Sequence, residues 1–167
     1  MKQNKLSAKR DERTKGYQNH CPVAVQNQTG NGENFMTRSV MREHIFKILF
    51  RAEFYDTQEM AQQINYYLEE VPKVTEKEVN EITGKVLNIV DKIPEIDEMI
   101  NSVSKSWPTS RLGKSELTIM RLAVYEIKFD EDIPTNVAIN EAVELAKKYG
   151  ADNAPSFING VLAQLAD

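Results

Sequence analysis

From Met36 onward, apolar residues recur with a period near 3.6, and no stretch alternates convincingly like a strand. The first predicted helix covers about 38–55, with Met41, Ile45, Ile48, Leu49 and Ala52 on one face and Lys47 and Arg51 pointing away. A second covers about 58–70 and stops at Val71-Pro72. Thr75 and Glu78 have capping-box spacing, and they open a third helix to about Lys92 carrying Val79, Ile82, Val86, Ile89 and Val90. Pro94 suits the first turn of a fourth helix, about 94–105, which Trp107-Pro108 breaks. The run 117–127 is apolar nearly all round, which predicts a central, buried helix in which Arg121 and Glu126 need partners. A sixth helix runs about 135–149, with acids early, Lys147 and Lys148 late, and Gly150 as its stop. Asp152 or Asn153 is expected to cap a last helix, with Pro155 in its first turn and Phe157, Ile158, Val161, Leu162 and Leu165 as its stripe. The pattern predicts an all-α fold of about seven helices in two packed helical bundles, about 36–93 and 94–167.

Residues 1–35 have no such period. They are polar and rich in Asn, Gln and Lys, and are expected to form a disordered basic tail, because they bury too little apolar area to offset ordering entropy. Gly32-Glu33 lies just upstream of Met36 and is compatible with a ribosome-binding sequence in the message, so translation is expected to start at Met36. An extension introduced by cloning is the alternative. His20 and Cys21 lack a second pair of ligands for a metal site.

Charge divides the chain in the same place. Residues 1–35 hold six basic and three acidic side chains, and the remainder holds 15 basic and 22 acidic. A body of −7 is no general trap for nucleic acid, so any RNA site must be a local patch, whereas a basic protein partner would suit it. One cysteine, no membrane-length apolar run and no signal-peptide core point to a soluble cytoplasmic protein.

Catalytic chemistry is hard to assemble. Beyond the tail only Gly84, Gly113, Gly150 and Gly160 remain, too scattered for a phosphate loop. His44 is the sole histidine there, no Glu-x-x-His occurs, and no nucleophile elbow is present. No enzyme activity and no cofactor are expected.

The first helix carries a second pattern. Arg42, Phe46 and Phe50 follow at four-residue steps, and Lys47 and Arg51 form a neighbouring strip. With Arg38, residues 38–51 hold four strong bases against Glu43 alone. Cations beside flat rings suit single-stranded RNA, since phosphates and unstacked bases each find a partner. The other reading packs Phe46 and Phe50 into the second bundle and leaves the charges solvated. Trp107 is read as a plug between subdomains rather than a stacking platform.

Three blocks carry a resemblance. Arg111-Leu112-Gly113 with Glu116–Ile127, then Ile133–Lys147 with its Pro-Thr-Asn-Val-Ala-Ile-Asn-Glu-Ala core, then Phe157-Ile158-Asn159-Gly160-Val161-Leu162 resemble, in order, the NusB family of transcription antitermination factors. The resemblance spans about residues 36–167. It implies two perpendicular helical bundles and a heterodimer with NusE, a protein also found in the small ribosomal subunit. It further implies binding of the boxA element of nascent RNA and passage of RNA polymerase through terminators, notably in ribosomal RNA transcription. A helical protein-interaction module with little RNA binding of its own is the alternative. NusB-like domains also precede a ribosomal RNA cytosine methyltransferase domain, but this chain ends at Asp167, without that domain.

The family's arginine-rich opening is thinned here to Arg38 and Arg42 within 37–43. Phe50 stands where the family often has tyrosine. Arg38, Arg42, Lys47, Phe50 and Arg51 are the expected RNA contacts. Glu116, Asp152, Asn153 and Phe157 match positions near partner and RNA. Among other family residues, Asn140 is expected to satisfy backbone groups between helices, Gly160 to allow close helix packing, and Arg121 to pair with Glu126.

Overall fold

The computed structural model describes residues 35–166, so the expected tail, apart from Phe35, and the His20-Cys21 pair lie outside the described residues. Six α-helices follow one another: α1 Arg38–Leu49, α2 Thr57–Glu69, α3 Glu76–Val103, α4 Lys114–Lys128, α5 Thr135–Tyr149 and α6 Ala154–Leu165. Two 3-10 turns, Phe50–Glu53 and Thr109–Arg111, complete the regular structure, and no strand occurs among the described residues.

Local sequence sets most boundaries. Thr37 caps α1 by accepting from the Val40 amide. Asp56 with Glu59, and Thr75 with Glu78, form reciprocal capping boxes at the starts of α2 and α3. Glu78 also accepts from the Met36 amide at 2.6 Å, which ties the segment before α1 to the start of α3. Gly150 ends α5, where a Cβ would meet Ala154 Cβ at 2.6 Å and the Ala146 carbonyl oxygen at 2.9 Å.

Two boundaries and one cap differ from expectation. The helix expected over 38–55 gives way at Phe50 to a 3-10 turn, whose tighter winding swings Glu53 toward Arg121 and Lys114 on α4. The helices expected on either side of Pro94 are one helix, α3. Proline there removes a backbone hydrogen bond and crowds the preceding turn, at about 3 kcal/mol. Buried Ile96 and Ile100 beyond it each recover about 1.5–3 kcal/mol, so continuing the helix wins. Asn153 stands at the α6 N-cap but makes no side-chain capping bond.

The core is built around α4. Leu117, Ile119, Met120, Leu122, Ala123 and Val124 are buried, and α4 packs on α1, α3, α5 and α6. Its two charged interruptions do not pair with each other as expected. Arg121 instead forks onto Asp97, at 2.8 and 2.7 Å, and reaches Glu53. Glu126 faces α1 and α3, because the intervening turn and a half of helix turns the two side chains apart. Asn140 and Gly160 are exposed, and a Cβ on Gly160 would touch nothing within 4 Å, so neither has the packing role expected of it.

Candidate nucleic-acid interface

Two sides of α1 hold the expected RNA residues. On the inner side, Arg42 is 6% exposed, and its Nε donates to both oxygens of Glu126, at 2.9 and 3.1 Å. Its Nη1 lies 3.1 Å from Glu141 on α5. Lys85 of α3 donates to the same Glu126 at 2.8 Å and to Asp130 at 3.0 Å. Two cations and three carboxylates therefore close a junction among α1, α3, α4 and α5. Arg42 departs from the expected phosphate contact. Its place on the face of Ile45, Phe46 and Leu49 turns it inward, and withdrawing it would leave Glu126, which is 1% exposed, with Lys85 as its one cation.

The outer side is open. Phe46, Lys47, Phe50, Ser115 and Tyr149 line a shallow hollow of about 230 Å³ between α1, α5 and the start of α4. Phe46 is buried and forms its floor, with its ring centroid 4.9 Å from Tyr149 and 6.4 Å from Phe50. Phe50 is half-buried and hands the ring series on to Phe54, 5.4 Å away and 65% exposed. The Lys47 and Lys148 ammonium groups lie 6.0 and 5.3 Å from the Tyr149 ring centroid. Both lysines also meet Glu43, at 2.9 and 2.7 Å, and the Tyr149 hydroxyl donates to it at 2.5 Å. Lys148, Tyr149 and Lys47, in that order, hold the Glu43 carboxyl down at about 2. Glu43 in turn holds Lys47 above the ordinary lysine value. Two lysines share one carboxylate, so the cluster keeps a positive surplus at the rim of a ring-lined hollow.

The other expected residues fall in separate places. Arg38 begins α1, exposed, about 18 Å of helix rise from Phe50. Arg51 is turned toward α2, where it donates to Gln63 at 2.9 Å and lies 5.4 Å from the Tyr67 ring. Burial, and then Lys47, push neighbouring His44 below its ordinary value, and its Nδ1 is 2.8 Å from the Tyr67 hydroxyl. Glu116 accepts from the Ala151 amide at 2.9 Å and lies over Gly113, where the missing Cβ leaves room for its carboxylate. That bond fixes the α5–α6 turn, leaving Asp152 and Asn153 exposed. Phe157 is half-buried against the core at the start of α6. Ser115 and Tyr149 are the chain neighbours of Glu116 and Gly150, so this turn adjoins the hollow. Arg38 and Arg51 do not reach it.

Tyr149 and Lys148 were missed by sequence reasoning. A Lys-Lys-Tyr end to α5 was readable only as a favourable helix terminus, and nothing local shows that it packs on α1. Among the described residues no group of three or more His, Cys, Asp or Glu could hold a metal ion. No described helix is long and apolar enough to cross a membrane.

The NusB family model matches residues 39–167. The chain belongs to the NusB family. Transcription antitermination protein NusB of Agathobacter rectalis (strain ATCC 33656 / DSM 3377 / JCM 17463 / KCTC 5835 / VPI 0990) is 52% identical over 131 residues, covering 78% of this chain and 100% of the relative. T. maritima NusB superposes with a TM-score of 0.72 at 33% identity, over 78% of this chain and 91% of that one. A chain in the crystal structure of a plectonemic RNA supercoil superposes with a TM-score of 0.67 at 29% identity, over 77% and 92%. NusB membership makes this chain a regulatory protein of transcription and not an enzyme.

Proposed function

We propose that this chain binds boxA single-stranded RNA together with NusE in the cytoplasm, and so helps RNA polymerase read through terminators, notably in ribosomal RNA transcription. The observation that carries the reading is the hollow at Phe50 and Tyr149, with Lys47 and Lys148 at its rim. Rings accept the flat faces of unpaired bases, and lysines meet the phosphates between them. Arg38 adds a second, more distant phosphate contact. Glu116, Asp152, Asn153 and Phe157 form the side on which NusE and RNA approach.

Nothing in this mechanism requires bond chemistry. An acidic body attracts a basic ribosomal protein, and the local cationic rim offsets repulsion of the RNA. The two ligands then hold the protein on the nascent transcript beside the polymerase. A second reading, a protein-interaction module with weak RNA affinity, draws on the burial of Arg42, which removes one cation from the RNA side.

Binding of labelled boxA RNA with and without purified NusE tests the proposal. Saturable binding strengthened by NusE is expected, with a scrambled RNA at least several-fold weaker. NusE binding without any gain in RNA affinity would favour the interaction module.

A further inference from the structure

Between α3 and α4 runs a loop, 104–113, and together with Lys114 and Ser115, which open α4, it carries Lys105, Arg111 and Lys114 and no acid. It also holds Trp107, the chain's one tryptophan, which is 51% exposed and so does not plug a gap between subdomains. The loop is fixed in place. Asn101 accepts from the Thr109 amide at 2.8 Å and donates to its hydroxyl at 3.2 Å, and buried Ser104 donates to the Trp107 carbonyl at 2.8 Å. The backbone that carries the exposed ring is therefore held in place.

Arg111 lies over this ring, its guanidinium carbon 5.3 Å from the centroid. Lys105 and Arg111 make no ion pair among the described residues, and Lys114 shares Glu53 with Arg121. A flat ring with a stacked guanidinium and an acid-free cationic border suits an unpaired base and its phosphates. The loop also leads toward the hollow, since Ser115, the second residue of α4, is in the lining.

We infer that Ser104–Ser115 is a second contact for single-stranded RNA, in which Trp107 and Arg111 stack a base and Lys105 meets a phosphate. RNA seated in the hollow continues past the start of α4 onto this loop. The inference rests on the RNA-binding reading above and extends it to nucleotides flanking those in the hollow.

A single tryptophan makes the test direct. The full chain labelled with 5-fluorotryptophan gives one fluorine resonance, whether or not NusE is present. The probe is a boxA RNA with five uridines added at each end, and its anisotropy is followed in parallel on the NusE complex. RNA is expected to shift or broaden the resonance over the range in which anisotropy saturates. Trp107→Ala and Arg111→Ala should each weaken binding about five-fold or more, as loss of a stacked base does. Trp107→Phe should stay within about two-fold of wild type, with the melting temperatures of all three nearly unchanged. If anisotropy saturates while the resonance stays still and Trp107→Ala binds as wild type, this inference is overturned and the hollow stands. If no RNA binds, both readings fall. If NusE alone moves the resonance and RNA adds nothing, the loop is a protein contact and the inference is overturned.

Discussion

Arg42 on one side of α1 meets two carboxylates in the interior, whereas Lys47, one and a half turns further along, meets one carboxylate and an aromatic ring at the surface. Both looked alike in sequence: a base on a helix beside phenylalanines. Their environments separate them. Around Arg42 and Lys85 the carboxylates outnumber the cations and nothing is left to offer a phosphate. Around Glu43 the cations outnumber the carboxylate and water reaches them. A basic side chain's function here follows from the count of acids that other helices bring to it, which its own helix does not record.

The strongest way to break this comparison is Arg42→Ala. Removing Arg42 leaves buried Glu126 with Lys85 alone, which Asp130 also draws on, and a loss of about 3 kcal/mol of stability, the lower end for a broken buried pair, is expected in chemical denaturation. A loss below about 1 kcal/mol would mean that the junction is hydrated and Arg42 is available to ligands.

Phe50→Ala should divide its effect the other way. RNA affinity is expected to fall by about 1–3 kcal/mol if a base stacks on the ring. Stability should fall by less than the roughly 3–5 kcal/mol typical of truncating a fully buried phenylalanine. A large drop in melting temperature with unchanged RNA affinity would assign the ring to the core.

Acid sharpens the comparison at the surface cluster. Glu43 titrates near 4.5 when unfolded and near 2 when folded, so the folded chain binds fewer protons across that window. Its contribution is complete above about pH 4.5 and drains away as pH falls toward 2. Glu43→Gln should remove that part of the acid dependence of the melting temperature, lowering it at pH 7, where the contribution is complete, and converging on wild type as pH falls toward 2. An unchanged acid profile would show that Lys47, Lys148 and Tyr149 do not hold this carboxylate in solution.

Much of the fold was legible. The capping boxes, the all-round apolar run of α4 and the stop at Gly150 each follow from local spacing. The continuity of α3 was readable too: Val79, Ile82, Val86, Ile89, Ile93, Ile96 and Ile100 alternate steps of three and four straight through Pro94, and the proline signal was given too much weight. The site was less legible because it is assembled across helices. Lys47 and Phe50 could be found on α1, but Tyr149 and Lys148 arrive from α5 and Ser115 from α4. Arg42 could not be excluded in advance, since Glu126 and Glu141 lie 84 and 99 positions later in the chain. Exposure of Trp107 was equally hidden, because a tryptophan before proline at a helix end reads the same whether it plugs a gap or stands free.

The salt dependence of boxA RNA binding, with NusE present, tests most directly which cations face the RNA. For the Lys47→Ala/Lys148→Ala double variant, the slope of log affinity against log salt should flatten by about 1.4, two phosphate contacts at about 0.7 each. Arg42→Met, measured where circular dichroism shows it folded, should keep the wild-type slope. A flattened slope for Arg42→Met beside an unchanged slope for the lysine variant would contradict the account.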